Sequence, residues 1–314
     1  MSKVACIGEC MIELKQADAG LLSRGYGGDT LNTAVYLARL GAGVDYITAL
    51  GDDPLSDEMV AGWSAEGVGT KRVLRLPGKL PGIYMIQTDE KGERWFFHWR
   101  DSAAARSLMD LPETADILSS LTGYDVIYLS AITLSLYGGE GRSRLFAAIN
   151  RARESGARFA FDTNFRARGW PDLDVARAVF QEAFAAADIV LASIEDLLPL
   201  YPGLSTESLL VRIPGAEVVL KLSEPASMLR LQGVPYPIKA KPVEAPVVDT
   251  TAAGDSFAAA YVAARLLGAD PLEAARAGHR LAGVVVCHPG AIIPRAAMPP
   301  GPVLNHANSR KASK

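Results

Sequence analysis

Cysteine and histidine are both scarce in this 314-residue chain. The three cysteines (Cys6, Cys10 and Cys287) are an odd number without metal-ligand spacing, and the four histidines include no HExxH pair. We therefore expect neither a disulfide framework nor a zinc site built from neighbours in sequence. Reduced thiols are typical of a cytoplasmic protein, which is the location we expect.

Net charge and long apolar runs are also lacking. The formal net charge of -3 leaves no electrostatic footprint for nucleic acid. The N-terminal segment "MSKVACIGECMIEL" has an acid at residue 9 and no long apolar run, so it predicts a first strand, Val4 to Ile7, rather than a signal peptide or a membrane span. With 49% hydrophobic and 21% charged residues, the chain has the balance of a globular enzyme. Its length predicts a main domain with a smaller appendage.

Short apolar runs alternate with helical patterns after residue 105. The β-prone runs are "DVIYLS" (125–130), "RFAFD" (158–162), "DIVLAS" (188–193) and "EVVLKL" (217–222). Continuous runs of this kind are typical of strands buried on both faces, and amphipathic segments such as "GRSRLFAAINRARESG" separate them. The alternation of strand and helix predicts an α/β fold with a mostly parallel sheet and helices on both sides.

One segment, "GIYMIQTDEKGERWFFHWR" (82–100), breaks this alternation. Two β-rich runs joined by "DEKG" predict an antiparallel hairpin in which Gly92 supplies a positive φ. Along the second arm, one face carries Trp95, Phe97 and Trp99 and the other carries Phe96, His98 and Arg100. Because an isolated hairpin is barely stable in water, we expect a lid with one face over a ligand and the other against a partner subunit.

The stretch "DTTAAGDSF" (249–257) lies between a strand-like run and an alanine-rich helical pattern. It therefore predicts a helix N-terminus, where the backbone N–H groups of residues 252–254 and the helix dipole favour an anion. Asp255 in the first turn would face a phosphoryl acceptor and take its proton, which makes it a candidate base. Alternatively, Asp249 or Thr251 caps the helix and Asp255 is an acid favoured only by the dipole.

Three further stretches place polar residues where a ligand could bind. In "GYGGDTLNTAVYLARLG" (25–41), a glycine-rich turn leaves Asp29 and Asn32 at the mouth of a helix, where they suit sugar hydroxyls. In "DTNFRARGW" (162–170), Arg166 follows a core strand and offers a fork that matches a carboxylate or phosphate. Asp196 and Lys221 lie near strand ends, where they suit water-bound Mg²⁺ and a nucleotide phosphate. Taken alone, Asn32 is equally a helix-end residue and Arg166 a surface arginine.

Together these residues resemble the ribokinase-like carbohydrate kinases (PfkB family) over essentially the whole chain. "DTTAAGDSF" is similar to the family's DTxGAGD signature, "GGDTLNTA" to its N-terminal glycine pair and "DTNFR" to its DxNxR segment. "IGECMIEL", "GERWFFHWRDSAAAR" and "GAIIPRAAMP" resemble the ketodeoxygluconate branch rather than fructokinase or ribokinase. The chain contains neither the G-x-x-x-x-G-K-[ST] motif of a P-loop kinase nor, after its first strand, the G-x-G-x-x-G motif of a dinucleotide-binding dehydrogenase, which argues against both alternatives. A non-catalytic regulator would keep the fold, but the presence of Asp255 favours an enzyme.

The resemblance implies a ribokinase-like three-layer α/β/α domain over residues 1–314, with a small β-sheet lid formed by about residues 9–27 and 72–104. It implies an ATP-dependent kinase acting on the C6 hydroxyl of 2-keto-3-deoxygluconate, with fructokinase or another hexose kinase as the alternative. ATP and Mg²⁺ are the implied cofactors, together with a monovalent cation such as K⁺. The implied partners are the acidic sugar and a second copy of the chain bound through the lid, at least as a dimer, with no nucleic acid and no membrane.

The same resemblance implies a set of site residues. Asp255 is the implied catalytic base, with Ala252, Ala253 and Gly254 as the anion hole for the transferring phosphate. The sugar-contacting positions are Gly28, Asn32, Tyr84, His98, Arg100 and Arg166, and the last two are the implied partners of the C1 carboxylate. The nucleotide-side positions are Ser193, Lys221, Ser223 and Gly254, and the monovalent cation is implied near Asp249 and Thr251.

The chain departs from the family pattern at several positions. Ala252 replaces the first glycine of the signature, and Ser193 and Asp196 stand where many members have N-x-x-E for magnesium. "SEPAS" replaces a glycine-flanked phosphate loop after Lys221, and His98 stands where a tyrosine is common. The departures at Ser193, at Asp196 and after Lys221 fall on positions that the resemblance assigns to the metal and the nucleotide.

Overall fold

A nine-stranded sheet forms the centre of the computed structural model, which describes residues 2–17, 20–88, 94–215, 217–243 and 245–299. The strands in these ranges are β1 (Lys3–Ile7), β2 (Met11–Gln16), β3 (Leu22–Gly27), β4 (Gly43–Gly51), β5 (Val73–Leu76), β6 (Ile83–Thr88), β7 (Arg94–Trp99), β8 (Val126–Ser130), β9 (Arg158–Asp162), β10 (Ile189–Ser193), β11 (Glu217–Lys221), β12 (Ala226–Leu231) and β13 (Val234–Lys239). The strand order of the large sheet is β13-β12-β11-β10-β9-β8-β1-β4-β5.

Neighbouring strands of the large sheet are parallel from β5 to β11, and β12 and β13 add an antiparallel edge. The four runs predicted as strands are β8 to β11, and the predicted first strand is β1. Their side chains are buried on both faces of the sheet, as their continuous apolar character predicts. The parallel arrangement brings the carboxyl ends of these strands to one edge, where ligands bind in open α/β sheets.

Helices cover both faces of the large sheet. The helices in the described ranges are α1 (Asp29–Arg39), α2 (Pro54–Ala65), α3 (Thr114–Ser120), α4 (Ala131–Leu136), α5 (Gly139–Glu154), α6 (Leu173–Ala186), α7 (Ile194–Leu197), α8 (Thr206–Arg212), α9 (Ala253–Leu266) and α10 (Pro271–Val285). Alternate strand residues face opposite layers: Phe159 and Phe161 pack with α3 to α8, whereas Tyr46 and Tyr128 pack with α1, α2, α9 and α10. This confirms the three-layer α/β/α arrangement.

A second sheet has the strand order β3-β2-β6-β7. Strands β6 and β7 pair in antiparallel register, with Ile83 opposite Trp99, as the hairpin prediction requires. The predicted turn at Gly92 lies outside the described residues. The lid range predicted at 72–104 includes β5, but β5 pairs in parallel with β4, with Val73 opposite Thr48, and so belongs to the large sheet.

The described residues end at Pro299. Among the helices that the structure describes, none combines the length and the apolar character needed to cross a bilayer.

Candidate active site

The chain makes a sharp turn immediately before α9. Ala252 has φ 59° and ψ 15°, in the left-handed region that residues other than glycine rarely adopt. Its carbonyl accepts a hydrogen bond from the N–H of Ser256 (2.9 Å), which closes the first turn of the helix. Asp255 lies in this first turn. The unfavourable conformation of Ala252 is therefore part of what positions Asp255.

Helix α1 holds the partly buried Asp255 in place. Asn32 Nδ2 donates to Asp255 Oδ2 (2.8 Å), and Thr33 Oγ1 donates to the main-chain carbonyl of Asp255 (3.3 Å). Desolvation raises the pKa of Asp255 to about 7, the charge of Asp29 adds to the rise, and the hydrogen bond from Asn32 opposes it. A carboxyl group that titrates near neutrality and is oriented by a donor suits general base catalysis.

A lysine lies beside the start of α9. Lys221, at the end of β11, has its Nζ 3.3 Å from the position that a Cβ on Gly254 would occupy and 3.5 Å from Asp162 Oδ2. The ammonium and the helix N-terminus together favour a phosphate. One predicted donor differs from expectation, because the N–H of Ala253 donates to the carbonyl of Thr250 (3.2 Å) within the turn. The N–H of Ser256 is likewise occupied by the carbonyl of Ala252, so the anion hole stays a prediction at Ala252 and Gly254.

Additional polar side chains line the same edge. Asp29 was expected there, whereas the sequence motifs did not single out Asn164, Tyr128 and Asp162. Asn164 Nδ2 donates to Asp29 Oδ2 (2.7 Å), and the Tyr128 hydroxyl donates to Asp162 Oδ2 (3.3 Å). Desolvation raises the pKa of Asp29, and the charges of Asp29 and Asp162 raise that of Asp255. Asp29 could have been found from its position after a glycine pair, and Asp162 and Asn164 from their positions at or just after the end of β9. Tyr128 lies in the middle of β8 and gives no such signal.

The small sheet places aromatic side chains near the loop between β1 and β2. Tyr84 on β6 and His98 on β7 stack with ring centroids 6.0 Å apart and planes at 24°, and the Tyr84 hydroxyl donates to Glu13. Gly28, which precedes α1, has no room for a side chain, because a Cβ there would lie 2.2 Å from the carbonyl oxygen of Glu9. Close packing at Gly28 thus holds the start of α1 against this loop.

Both arginines predicted to bind a carboxylate are paired with acids. Arg100 forms an ion pair with Glu9 and keeps 18% side-chain exposure. Arg166 Nη1 lies 3.3 Å from Asp196 Oδ1 and its side chain is 60% exposed. Desolvation lowers the pKa of His98, and neighbouring cations lower it further. These cations are Arg100, Arg168 and Arg166. A cluster of guanidinium groups around a neutral imidazole suits an anionic ligand.

The predicted nucleotide and cation positions are less closely connected to Asp255. Ser193 ends β10, and its Oγ caps α7 by accepting from the N–H of Glu195 (3.3 Å). Ser223 follows β11 and is exposed. At the predicted cation position, Asp249 Oδ1 accepts from the N–H (2.9 Å) and the Oγ1 (2.6 Å) of Thr251. In the part of the chain that the structure describes, no three or more His, Cys, Asp or Glu side chains are arranged to hold a metal.

Eight of the predicted site residues fall into two groups. Around the start of α9 the structure brings together Asn32, Lys221, Gly254 and Asp255. Around the small sheet it brings together Tyr84, His98, Arg100 and Arg166. Within the described ranges, no side-chain hydrogen bond or ion pair joins Ser223 to either group.

Comparison with known proteins gives matches along the whole fold. A family model described as pfkB family carbohydrate kinase matches residues 1–298, which include every strand and helix given above. A 2-dehydro-3-deoxygluconokinase of Dickeya dadantii is 44% identical over 306 residues, which cover 94% of this chain and 98% of the relative. A fructokinase of Vibrio alginolyticus is 29% identical over 274 residues, 84% of each chain. The crystal structure of a 2-dehydro-3-deoxygluconokinase from Thermotoga maritima matches with a TM-score of 0.78 and 25% identity, covering 93% of this chain and 94% of that one.

Proposed function

The chain belongs to the pfkB family of carbohydrate kinases, and we propose that it transfers the γ-phosphoryl group of ATP to the C6 hydroxyl of 2-keto-3-deoxygluconate (2-dehydro-3-deoxygluconate). One observation carries the proposal: Asp255, with a pKa near neutrality, lies at the start of α9 with Asn32 bonded to it and Lys221 beside the same turn. The choice of sugar is supported by the relatives, since the 2-dehydro-3-deoxygluconokinase is more similar to this chain than the fructokinase is.

Asp255 acts as the base in this reaction. Its carboxylate takes the hydroxyl proton as the sugar oxygen bonds to the γ-phosphorus, and the bond from that phosphorus to the bridging oxygen breaks to release ADP. The first-turn amides of α9 and the Lys221 ammonium stabilise the charge of the transferring group. Asn32 orients the carboxylate through its hydrogen bond.

Mg²⁺ bound with ATP would neutralise phosphate charge. Mg²⁺ commonly binds through one or two carboxylates, substrate phosphates and water. Two carboxylates are candidates here: Asp162 at the end of β9 and Asp196 in α7, just after β10. Asp196 is already paired with Arg166, so we expect its contact with the metal to pass through water. A monovalent cation such as K⁺ near Asp249 and Thr251 remains a prediction, with backbone oxygens as its main ligands because the Asp249 carboxylate is engaged by Thr251.

The acid sugar differs from fructose in its C1 carboxylate, and we assign Arg100 and Arg166 to this group. Arg100→Ala should lower kcat/KM for 2-keto-3-deoxygluconate by roughly 10- to 150-fold, because a hydrogen bond to a charged group contributes about 1.5 to 3 kcal/mol. Fructose turnover should change far less. Arg24→Ala is the matched control, since Arg24 lies on β3 and pairs with Glu58 at an exposed position. Equal losses with both sugars would contradict the assignment.

A panel of acidic and neutral sugars with coupled detection of ADP tests the proposed activity as a whole. We expect phosphorylation that requires ATP and Mg²⁺ and that is fastest with 2-keto-3-deoxygluconate. Preference for fructose or another neutral hexose would instead establish the alternative, a hexose kinase. We also propose a cytoplasmic location, which the unpaired cysteines support.

We further propose that two copies associate through the outer face of the small sheet. Trp95 and Trp99 on the edge strand β7 are 59% and 60% exposed, and Phe97 between them is 40% exposed. An apolar patch of this kind is typical of an interface. Light scattering should give a dimer for the wild type and a monomer for the double variant Trp95→Ser and Trp99→Ser. Tyr236→Ser, an exposed aromatic on β13, should remain dimeric, and a monomeric wild type would contradict the proposal.

A further inference from the structure

The ion pair between Glu9 and Arg100 is unusual because the acid is almost fully buried. The Glu9 side chain is 1% exposed, whereas that of Arg100 is 18% exposed. Burial raises the pKa of Glu9, and the charge of Arg100 is the main influence that opposes this rise. A buried carboxylate without its partner would be strongly unfavourable, so the two side chains are held together.

The backbone around Glu9 is built closely against it. A Cβ on Gly82 would lie 3.1 Å from Glu9 Oε1 and 3.1 Å from the Cβ of Arg100, and a Cβ on Gly28 would lie 2.2 Å from the Glu9 carbonyl oxygen. These glycines precede β6 and α1, which carry Tyr84 and Asn32. Glu9 therefore lies where the sugar-side residues of the small sheet meet those of α1.

Several buried polar atoms in this region have no hydrogen-bond partner among the described residues beyond the ion pair itself. They are Glu9 Oε1 and Oε2, Arg100 Nε and Nη2, and the hydroxyl of Tyr137. Burial raises the pKa of Tyr137, and the charge of Glu9 raises it further. Buried polar atoms in native proteins are nearly always satisfied, so this cluster indicates a place for a polar ligand or ordered water.

We propose that Glu9 is a positioning residue, which orients the Arg100 guanidinium so that this group can bind the carboxylate of the sugar. The inference rests on the proposed acidic substrate. A guanidinium has five donors in a rigid fork, so one group can serve two carboxylates. Glu9 neutralises Arg100 before the substrate arrives and restricts its orientation, which reduces the ordering that binding requires.

The test is a double-mutant cycle on Glu9→Gln and Arg100→Ala. Glutamine keeps the size and one acceptor of Glu9 but removes the charge, so KM for 2-keto-3-deoxygluconate should rise about 10-fold while kcat changes by less than about 3-fold. KM for ATP should not change. In the Arg100→Ala background, Glu9→Gln should not raise KM for 2-keto-3-deoxygluconate further, because the arginine that Glu9 orients is absent. Glu58→Gln, which breaks the exposed pair with Arg24, is the control and should leave both KM values unchanged.

These measurements separate positioning from a general structural role. Partial unfolding of Glu9→Gln would lower the apparent kcat but leave KM for both substrates in place. An unchanged or lowered KM for the acid sugar, or an equal rise in the Arg100→Ala background, would overturn the inference. If the wild type does not prefer the acid sugar, the proposed function fails before any variant is made, and this inference fails with it. If the wild type prefers it but Glu9→Gln leaves its KM unchanged, only this inference fails.

Discussion

Replacing Asp255 with asparagine should change activity and stability in opposite directions. Asparagine has nearly the same shape and still accepts a hydrogen bond from Asn32 Nδ2, so sugar and ATP binding should change little. It cannot take a proton, so kcat should fall by about 10² to 10⁴. The loss should therefore appear in kcat rather than in KM.

The same substitution removes a charge that the folded protein disfavours. Desolvation, with Asp29 and Asp162 nearby, raises the pKa of Asp255 from 3.8 to about 7, so the unfolded chain holds the charge more easily. At about pH 8 the carboxyl group is ionised in both states, and a shift of roughly three pKa units corresponds to at most about 4 kcal/mol. Asp255→Asn should be more stable than the wild type by up to this amount. The gain should shrink below about 1 kcal/mol near pH 4, because the wild-type group is then protonated when folded and partly protonated when unfolded.

Coupled detection of ADP and urea unfolding at the two pH values measure these effects. Asp174→Asn is the control: Asp174 occupies the first turn of α6, but its side chain is 91% exposed and pairs with Arg177. This control should change neither property appreciably. An Asp255→Asn variant that keeps most of its turnover would remove Asp255 from the role of base. A variant that is less stable than the wild type at about pH 8 would refute the electrostatic reasoning.

Three further predictions follow from the same geometry. In the wild type, kcat/KM should fall about tenfold per pH unit below about pH 7, since Asp255 must be ionised, and a flat profile from about pH 5 to 8 would contradict this. Ala252→Gly should raise the free energy of unfolding in urea by up to about 1 kcal/mol, because glycine adopts the left-handed conformation without the steric cost of a Cβ, and this gain outweighs the added entropy of the unfolded chain. A clear loss of stability would count against this reasoning. Gly28→Ala should lower the free energy of unfolding by about 1 to 3 kcal/mol and raise KM for the sugar, because the added Cβ would overlap the Glu9 carbonyl. Gly139→Ala is the control and should be tolerated, because there is open space at the start of α5. Similar stability for the two variants would exclude the overlap.

The large sheet could be predicted because local pattern and tertiary environment agree there. Strands β8 to β11 are buried on both faces, and their apolar runs show this directly. Strand β5 could not be assigned in the same way, because its four residues carry no distinctive pattern and only the pairing with β4 defines it. The predicted lid range therefore includes a strand that belongs to the large sheet.

Asp255 and Asn32, which the structure joins by a hydrogen bond, could be selected as candidate site residues because each lies in a sequence motif near a helix start. Sequence reasoning could not find the pairing of Glu9 with Arg100, since no periodicity relates the loop after β1 to the end of β7. It also missed the hydrogen bond that occupies the Ala253 amide, because an alanine at position 252 gives no indication of a left-handed backbone. Contacts between distant segments depend on the assembled fold, whereas helix starts and strand ends are marked locally.

The hydrogen bond between Asn32 and Asp255 joins residues 223 positions apart. At about 5 to 20 residues per second, a ribosome adds Asp255 roughly 10 to 45 s after Asn32. During that interval Asn32 is already part of the nascent chain, but Asp255, the proposed base, is not. A translation product that stops before α9 therefore lacks the base that the proposed mechanism requires.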